Sequence, residues 1–146
     1  MGGELIIFMA DQKTQSTKKI LVVEDEEYIR DLYVQILQKE GYLVDSASDG
    51  EEAFMKMSKK EYDLILLDII LPKIDGLQVL EKLKKESIKI TAPVVLLTNL
   101  SQEVVVAKAM NYGVRGYMVK SDLTPSDILT EVRGYLNGER VRTQLK

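Results

Sequence analysis

Between Lys19 and Asn137 the hydrophobic pattern switches period again and again, and this alternation constrains the fold more than any single motif. Ile20 to Val23 is a short, largely β-branched run, and after it Ile29, Leu32, Tyr33, Ile36 and Leu37 recur at the spacing of one helical face. Gly41 stands where a helix would stop. Tyr42 to Ala47 alternates like a second strand, and Asp49 to Lys59 sets Ala53, Phe54 and Met57 on one helical face. Leu64 to Leu67 is wholly apolar, the signature of a strand covered on both faces. Pro72 and Gly76 then interrupt the chain before Leu77, Leu80 and Leu83 mark another helix. Pro93 to Leu97 repeats the buried-strand signature, a helix from about Ser101 to Tyr112 follows, and Gly113 ends it. Tyr117 to Val119 is the fifth apolar run. Thr124, Pro125 and Asp127 read as N-cap, first helical residue and capping-box partner of a last helix, with Ile128, Leu129, Val132, Tyr135 and Leu136 inward. Five strand-then-helix repeats imply a doubly wound α/β fold, because a parallel crossover turns right-handed and needs a covering helix.

Length and composition agree with one domain around one core. The chain has 146 residues, 45% of them hydrophobic and 29% charged. Twenty Lys and Arg against 23 Asp and Glu give a net charge of −3, which exerts no general pull on nucleic acid backbones, so direct nucleic acid binding is not expected. Cys and His are both absent, which removes disulfides, thiolate or imidazole metal sites, His-assisted nucleophiles and a phosphohistidine of the chain's own. Chemistry is left to carboxylates, hydroxyls, Lys and the backbone. The early apolar run, Leu5 to Ala10, is far short of the roughly 20 residues that span a bilayer and lacks the flanks of a secretory signal, so no membrane insertion and a cytoplasmic location are expected. Residues 1–18 read as a tail, with Met9 a second candidate start, residues 19–138 as the domain, and residues 139–146 as a short tail with no output domain.

In an open parallel sheet the ligand crevice lies beyond the carboxyl ends of the strands, where strand order reverses. Strand one is followed by Glu24-Asp25-Glu26-Glu27, strand three ends in Asp68, strand four in Thr98 and strand five in Lys120. Carboxylates gathered at one edge raise each other's pKa unless a cation neutralises them, and hard oxygen ligands on an open site suit Mg²⁺. A carboxylate nucleophile, a divalent cation, a Lys and a hydroxyl together make a phosphoryl-transfer set. Taken singly, each residue has a plainer reading. Asp25 serves equally well as a cap for the first helix, Asp68 as a turn residue, Thr98 as an ordinary strand end and Lys120 as surface charge. Their joint placement at strand ends favours the functional reading.

These residues carry a resemblance to the receiver domains of bacterial two-component response regulators. It runs from about Lys19 to Asn137 on Ile-Leu-Val-Val-Glu24-Asp25-Glu26, Asp68-Ile-Ile-Leu-Pro72-Lys-Ile-Asp75-Gly76, Leu97-Thr98 and Gly116-Tyr117-Met-Val-Lys120. The resemblance implies a flavodoxin-like (βα)5 fold with strand order 2-1-3-4-5. It further implies that Asp68 accepts a phosphoryl group from a sensor histidine kinase. Asp25, Asp68 and the backbone carbonyl of Ile70 would bind Mg²⁺, with Glu24 acting through a coordinated water. Lys120 would pair with a phosphoryl oxygen, Thr98 would turn to hydrogen-bond another, and Tyr117 would fill the space Thr98 leaves. A downstream protein would read the change on the face formed by helix four, strand five and helix five. Such a chain is a phosphoacceptor that assists its own phosphorylation and dephosphorylation, rather than an enzyme with a separate substrate.

Three positions depart from the family's usual residues. Glu24 stands where Asp is also common, Ser121 where Pro is usual, and Asn99 where a small residue is usual, which narrows access for a phosphodonor. Ile70 and Leu100, expected to flank the phosphoryl group together with Asn99, offer no polar atom to orient an attacking water, so a long-lived phosphoryl group is expected. Val104, Val105 and Val106 are consecutive and cannot all face the core, so at least one is expected on the signalling face, where it would suit a partner or a second copy of the chain. A flavodoxin-like cofactor binder fits poorly, since the acidic cluster after strand one would repel phosphate. A haloacid-dehalogenase-type phosphatase needs a second Asp where Ile70 stands. The alternatives left open are a degenerate receiver that binds proteins without phosphorylation, and a phosphorelay intermediate.

Overall fold

The computed structural model describes residues 17–99 and 103–138. Five strands, β1 (Lys19–Val23), β2 (Leu43–Ala47), β3 (Leu64–Asp68), β4 (Val94–Thr98) and β5 (Gly116–Val119), alternate with five helices. The helices are α1 (Glu27–Lys39), α2 (Gly50–Ser58), α3 (Gly76–Lys85), α4 (Glu103–Met110) and α5 (Pro125–Leu136), with a short 3₁₀ turn at Lys120–Asp122. All strand pairs are parallel and the order is β2-β1-β3-β4-β5, as expected. The order reverses at β1, which lies between β2 and β3, so the crevice forms where the carboxyl ends of β1 and β3 diverge.

Strand periodicity divides the core in two. Ile20, Val22, Leu64, Leu66, Val95, Leu97 and Met118 pack under α1 and α5 with Tyr33, Leu37, Ile128, Val132 and Tyr135. Leu21, Val23, Ile65, Leu67, Val94, Leu96, Tyr117 and Val119 face α2, α3 and α4. Every residue of β3 and β4 is buried, which explains why those strands are apolar throughout until their last residue.

The helix ends follow their sequence signals with one exception. Thr124 and Asp127 form the expected capping box with Pro125 in the first turn, Asp75 and Gln78 form another, and Asp49 accepts from the Glu52 N–H. Gly41 and Gly113 adopt φ of +96° and +84°, the left-handed conformation that ends a helix cheaply only at Gly. At α1 the N-cap is Glu26, with no side-chain capping bond, so Asp25 is not the cap of this helix. Leu32, read as inward, is 41% exposed, while Tyr33 and Leu37 carry the buried stripe of α1. Val106 is buried and Val104 is 71% exposed, as the consecutive valines require. Among the described residues no helix is long and apolar enough to cross a membrane. The two expected tails fall, apart from Thr17 and Lys18, outside the described residues.

Candidate functional site

β1 and β3 end side by side because Val23 pairs with Leu67, and this register delivers Glu24 and Asp68 to the same level of the crevice. Both continue the alternation that points toward α1 and α5, as does Lys120 one residue past β5. Three residues distant in sequence thus converge. Lys120 Nζ donates to Asp68 Oδ2 at 2.7 Å and to Glu24 Oε1 at 2.8 Å. Glu24 is fully buried and Asp68 is 3% exposed. The remaining oxygens are partly engaged by backbone, since the Ile70 N–H donates to Asp68 Oδ1 and the Glu26 N–H to Glu24 Oε2. Asp25 is exposed at the mouth, and Glu24, Asp25 and Asp68 each present an oxygen within 4.8 Å of the others.

Three carboxylates against one ammonium leave the cluster short of positive charge, and the electrostatics register it. Burial pushes the Asp68 carboxyl from its ordinary 3.8 up to about 6, the Lys120 hydrogen bond opposes the rise, and the neighbouring Glu24 charge adds to it. Burial also works against the Lys120 ammonium, but the hydrogen bonds and charges of Asp68 and Glu24 outweigh it, and the Lys120 pKa is raised. A buried acid raised in this way beside a Lys ionises more readily when a further cation is near. Hard oxygens on an open rim fit a small divalent ion that keeps several waters, so Glu24, Asp25 and Asp68 could hold one.

The chain matches the response regulator receiver domain family over residues 20–133. It belongs to that family. Among its relatives, the alkaline phosphatase synthesis transcriptional regulatory protein PhoP of Bacillus subtilis is 38% identical over 124 residues, covering 85% of this chain and 50% of PhoP. The transcriptional regulatory protein ResD of the same organism is 36% identical over 118 residues, covering 81% of this chain and 48% of ResD. The receiver therefore spans about half the length of the curated relatives it matches. A CheY-like response regulator receiver domain protein from Methanospirillum hungatei superposes with a TM-score of 0.74 at 31% identity, covering 84% of this chain and 96% of that one. The chemotaxis response regulator CheY4 of Vibrio cholerae gives 0.73 at 28%, covering 82% and 99%.

Thr98 and Tyr117, also singled out in this receiver, occupy the opposite layer. Thr98, the last residue of β4, is 2% exposed, and its hydroxyl donates to the Asn99 carbonyl at 3.0 Å. Tyr117 of β5 is 6% exposed and packed on the side that carries Val106 and Ala109 of α4. Thr98 and Tyr117 thus line the α4 side of the sheet edge, whereas Glu24, Asp68 and Lys120 line the α1 and α5 side. Ile70 is 57% exposed, with its N–H on Asp68, and Asn99 is exposed just past the end of β4; Leu100 lies outside the described residues. The peptide after Lys120 is trans, and Ser121 continues into the 3₁₀ turn.

Two residues near the receiver's site were not singled out from sequence. Arg30 Nη1 donates to the carbonyls of Glu24 at 2.9 Å and Asp25 at 3.3 Å, which fixes the backbone that carries both acids. Its spacing of one and a half turns from the cluster is the sequence signal that would have found it. Tyr33 reads as a core residue of α1, and it is one, but its phenol also feels the site. Burial raises its pKa, with Lys120 acting in the opposite direction and Glu24 and Asp68 adding to the rise. Gly76 is needed for a steric reason, since a Cβ there would overlap the backbone carbonyl of Asp68.

Proposed function

We propose that Asp68 accepts a phosphoryl group from a phosphohistidine on a sensor histidine kinase and that the product is read by another protein. The observation that carries this reading is the Lys120 ammonium held between the buried Asp68 and Glu24 carboxylates at the strand-order switch. An Asp68 oxygen attacks the donor phosphorus, a P–O bond forms, and the P–N bond breaks with its electron pair returning to the imidazole. Asp25, Asp68 and the Ile70 carbonyl, with Glu24 acting through a water, would hold Mg²⁺, which would supply neutralisation of the phosphoryl oxygens. Lys120 already points at the acceptor and is placed to pair with a phosphoryl oxygen. Arg30 keeps the acidic loop in place during the charge change.

Transmission in this reading begins at Thr98, whose hydroxyl exchanges the Asn99 carbonyl for a phosphoryl oxygen. Tyr117, buried on the same side, fills the space Thr98 leaves, and the two moves together alter the face of α4, β5 and α5. The exposed Val104 gives that face an apolar contact for a partner or, secondarily, for a second copy. Residues 19–138 are the unit that is phosphorylated, in the cytoplasm, and the phosphorylated unit signals by protein binding or hands the group on as a relay intermediate.

Labelling with acetyl phosphate tests the acceptor. Incorporation should require Mg²⁺, be lost on chelation and be lost in Asp68→Ala; label that persists in Asp68→Ala would overturn the assignment. Binding to a partner that is equal for wild type, Asp68→Ala and the beryllofluoride-treated protein would establish the degenerate, phosphorylation-independent alternative instead.

A further inference from the structure

Residues 69–75 follow Asp68 directly and join β3 to α3. This loop is tied firmly at its base. The Ile69 N–H donates to the Leu97 carbonyl and the Gly76 N–H to the Ile69 carbonyl, while the Ile69 and Leu71 side chains lie in the buried cluster with Ala53 of α2 and Val79 of α3. Beyond Ile70 the support comes from a different element. Among the described residues, the one backbone hydrogen bond that Leu71, Pro72, Lys73 and Ile74 make with other backbone runs from the Gly50 N–H to the Pro72 carbonyl, at 3.2 Å. Lys73, held in the left-handed region at φ +69°, pairs with Asp49 at 3.4 Å. Asp49 and Gly50 are the N-cap and first residue of α2, so both ties come from one helix end.

The approach is too close for any side chain at Gly50. Its φ is not positive, so its own backbone conformation does not call for glycine, yet a Cβ there would overlap the backbone carbonyl of Ile74. Space for the loop is therefore what requires Gly. We propose that the amino terminus of α2 is a positioning clamp for the loop after Asp68: Gly50, by lacking a side chain, and Asp49, by pairing with Lys73, set the arch at residues 72–74 and so where the Ile70 carbonyl stands beside Asp68. The inference rests on the metal role proposed above for that carbonyl. Asp49 and Gly50 contribute no atom to the acidic cluster. They support the backbone that carries a ligand, and such supporting contacts tune metal affinity.

Mg²⁺ titrations of the full chain, followed by calorimetry and by the amide shifts of Ile70 and Leu71, test the clamp, with circular dichroism reporting that each variant is folded. Gly50→Ala should weaken Mg²⁺ binding by roughly tenfold, the lower end of what losing a ligand's support costs. Gly41→Ala is the control, because it strains a left-handed position with open space around it at the far end of α1; it should lower stability and change Mg²⁺ affinity by less than about twofold. Lys73→Glu sets a second carboxylate beside Asp49 on an exposed tip, where folding is preserved. Added negative charge alone would tighten cation binding, whereas a clamp pushed open should weaken it by about two- to fivefold, the span of a surface charge pair. Asp49→Asn in that background keeps the acceptor for the Glu52 N–H and should restore most of the loss. Wild-type Mg²⁺ affinity in Gly50→Ala, tighter binding in Lys73→Glu, or an equal loss in Gly41→Ala would overturn the clamp while leaving the metal site standing. Wild type that binds no Mg²⁺ would overturn the metal reading and the clamp together.

Discussion

Asp68→Asn should stabilise the metal-free receiver at neutral pH, although Asp68 makes one of the shortest ion pairs among the described residues, 2.7 Å from Lys120. The folded state holds the Asp68 proton more tightly than an unfolded chain does, with a pKa of about 6 against 3.8. A carboxylate raised in this way favours the fold while protonated, and that contribution is lost as pH rises from about 4 through 6. The difference of 6 − 3.8 corresponds to about 3 kcal/mol at pH 7 and above. Asn keeps the shape and an oxygen for Lys120, but it removes one of three clustered negative charges; it also gives up a charge-assisted hydrogen bond of roughly 1.5 kcal/mol. The net gain is therefore about 1.5 kcal/mol, or roughly 3–6 °C in melting midpoint for a domain of this size. Thermal melts followed by circular dichroism in EDTA from pH 4 to 8 measure it. The two proteins should converge near pH 4 and separate through pH 6, and Mg²⁺ should narrow the gap by stabilising the wild type. A variant that is less stable than wild type at pH 7.5 in EDTA, or a gap independent of pH, would refute the electrostatic account.

Gly76→Ala should destabilise by about 2–3 kcal/mol, because its Cβ meets the Asp68 backbone carbonyl and cannot be relieved by a rotamer change, and acetyl phosphate labelling should fall with it. Tyr135→Phe should raise the unfolding free energy by about 1 kcal/mol, since the Tyr135 hydroxyl is buried with no hydrogen-bond partner among the described residues. The same hydroxyl fills the place of a side chain at Gly116, so Gly116→Ala should be tolerated far better in Tyr135→Phe than in wild type; equal costs in the two backgrounds would contradict the contact. Phosphorylated wild type should release phosphate slowly, and Ile70→Gln, which places a polar group at the crevice mouth, should speed release by roughly tenfold or more. Loss of label within seconds from wild type would count against the role given to Ile70.

The parts of the site that were legible in sequence are those set by local pattern. The apolar runs of β3 and β4 are buried throughout, and the break from apolar to polar at Asp68 and Thr98 coincides with the strand ends. The Thr124-to-Asp127 capping box and the left-handed Gly41 and Gly113 likewise sit where short-range rules put them. Arg30 and the second aspect of Tyr33 were hidden because their roles depend on where α1 lies against the ends of β1 and β3. The exposure of Leu32 was hidden for a related reason, since the apolar stripe of a helix is wider than the contact its neighbours make.

Sequence by itself determined the alternation of strands and helices, the reversal of strand order through the family it resembles, and the chemical identity of the residues at the crevice. These follow from periodicities of two and 3.6 and from turn chemistry, all of which act over a few residues. Tertiary structure decided which of those residues meet. Lys120 lies 52 positions from Asp68 and 96 from Glu24, and the registers of β1 against β3, β3 against β4 and β4 against β5 bring the ammonium between the two carboxylates. It also decided that Asp68 is desolvated, and desolvation by surrounding strands, a property of no single stretch of chain, is what keeps this carboxyl hard to ionise.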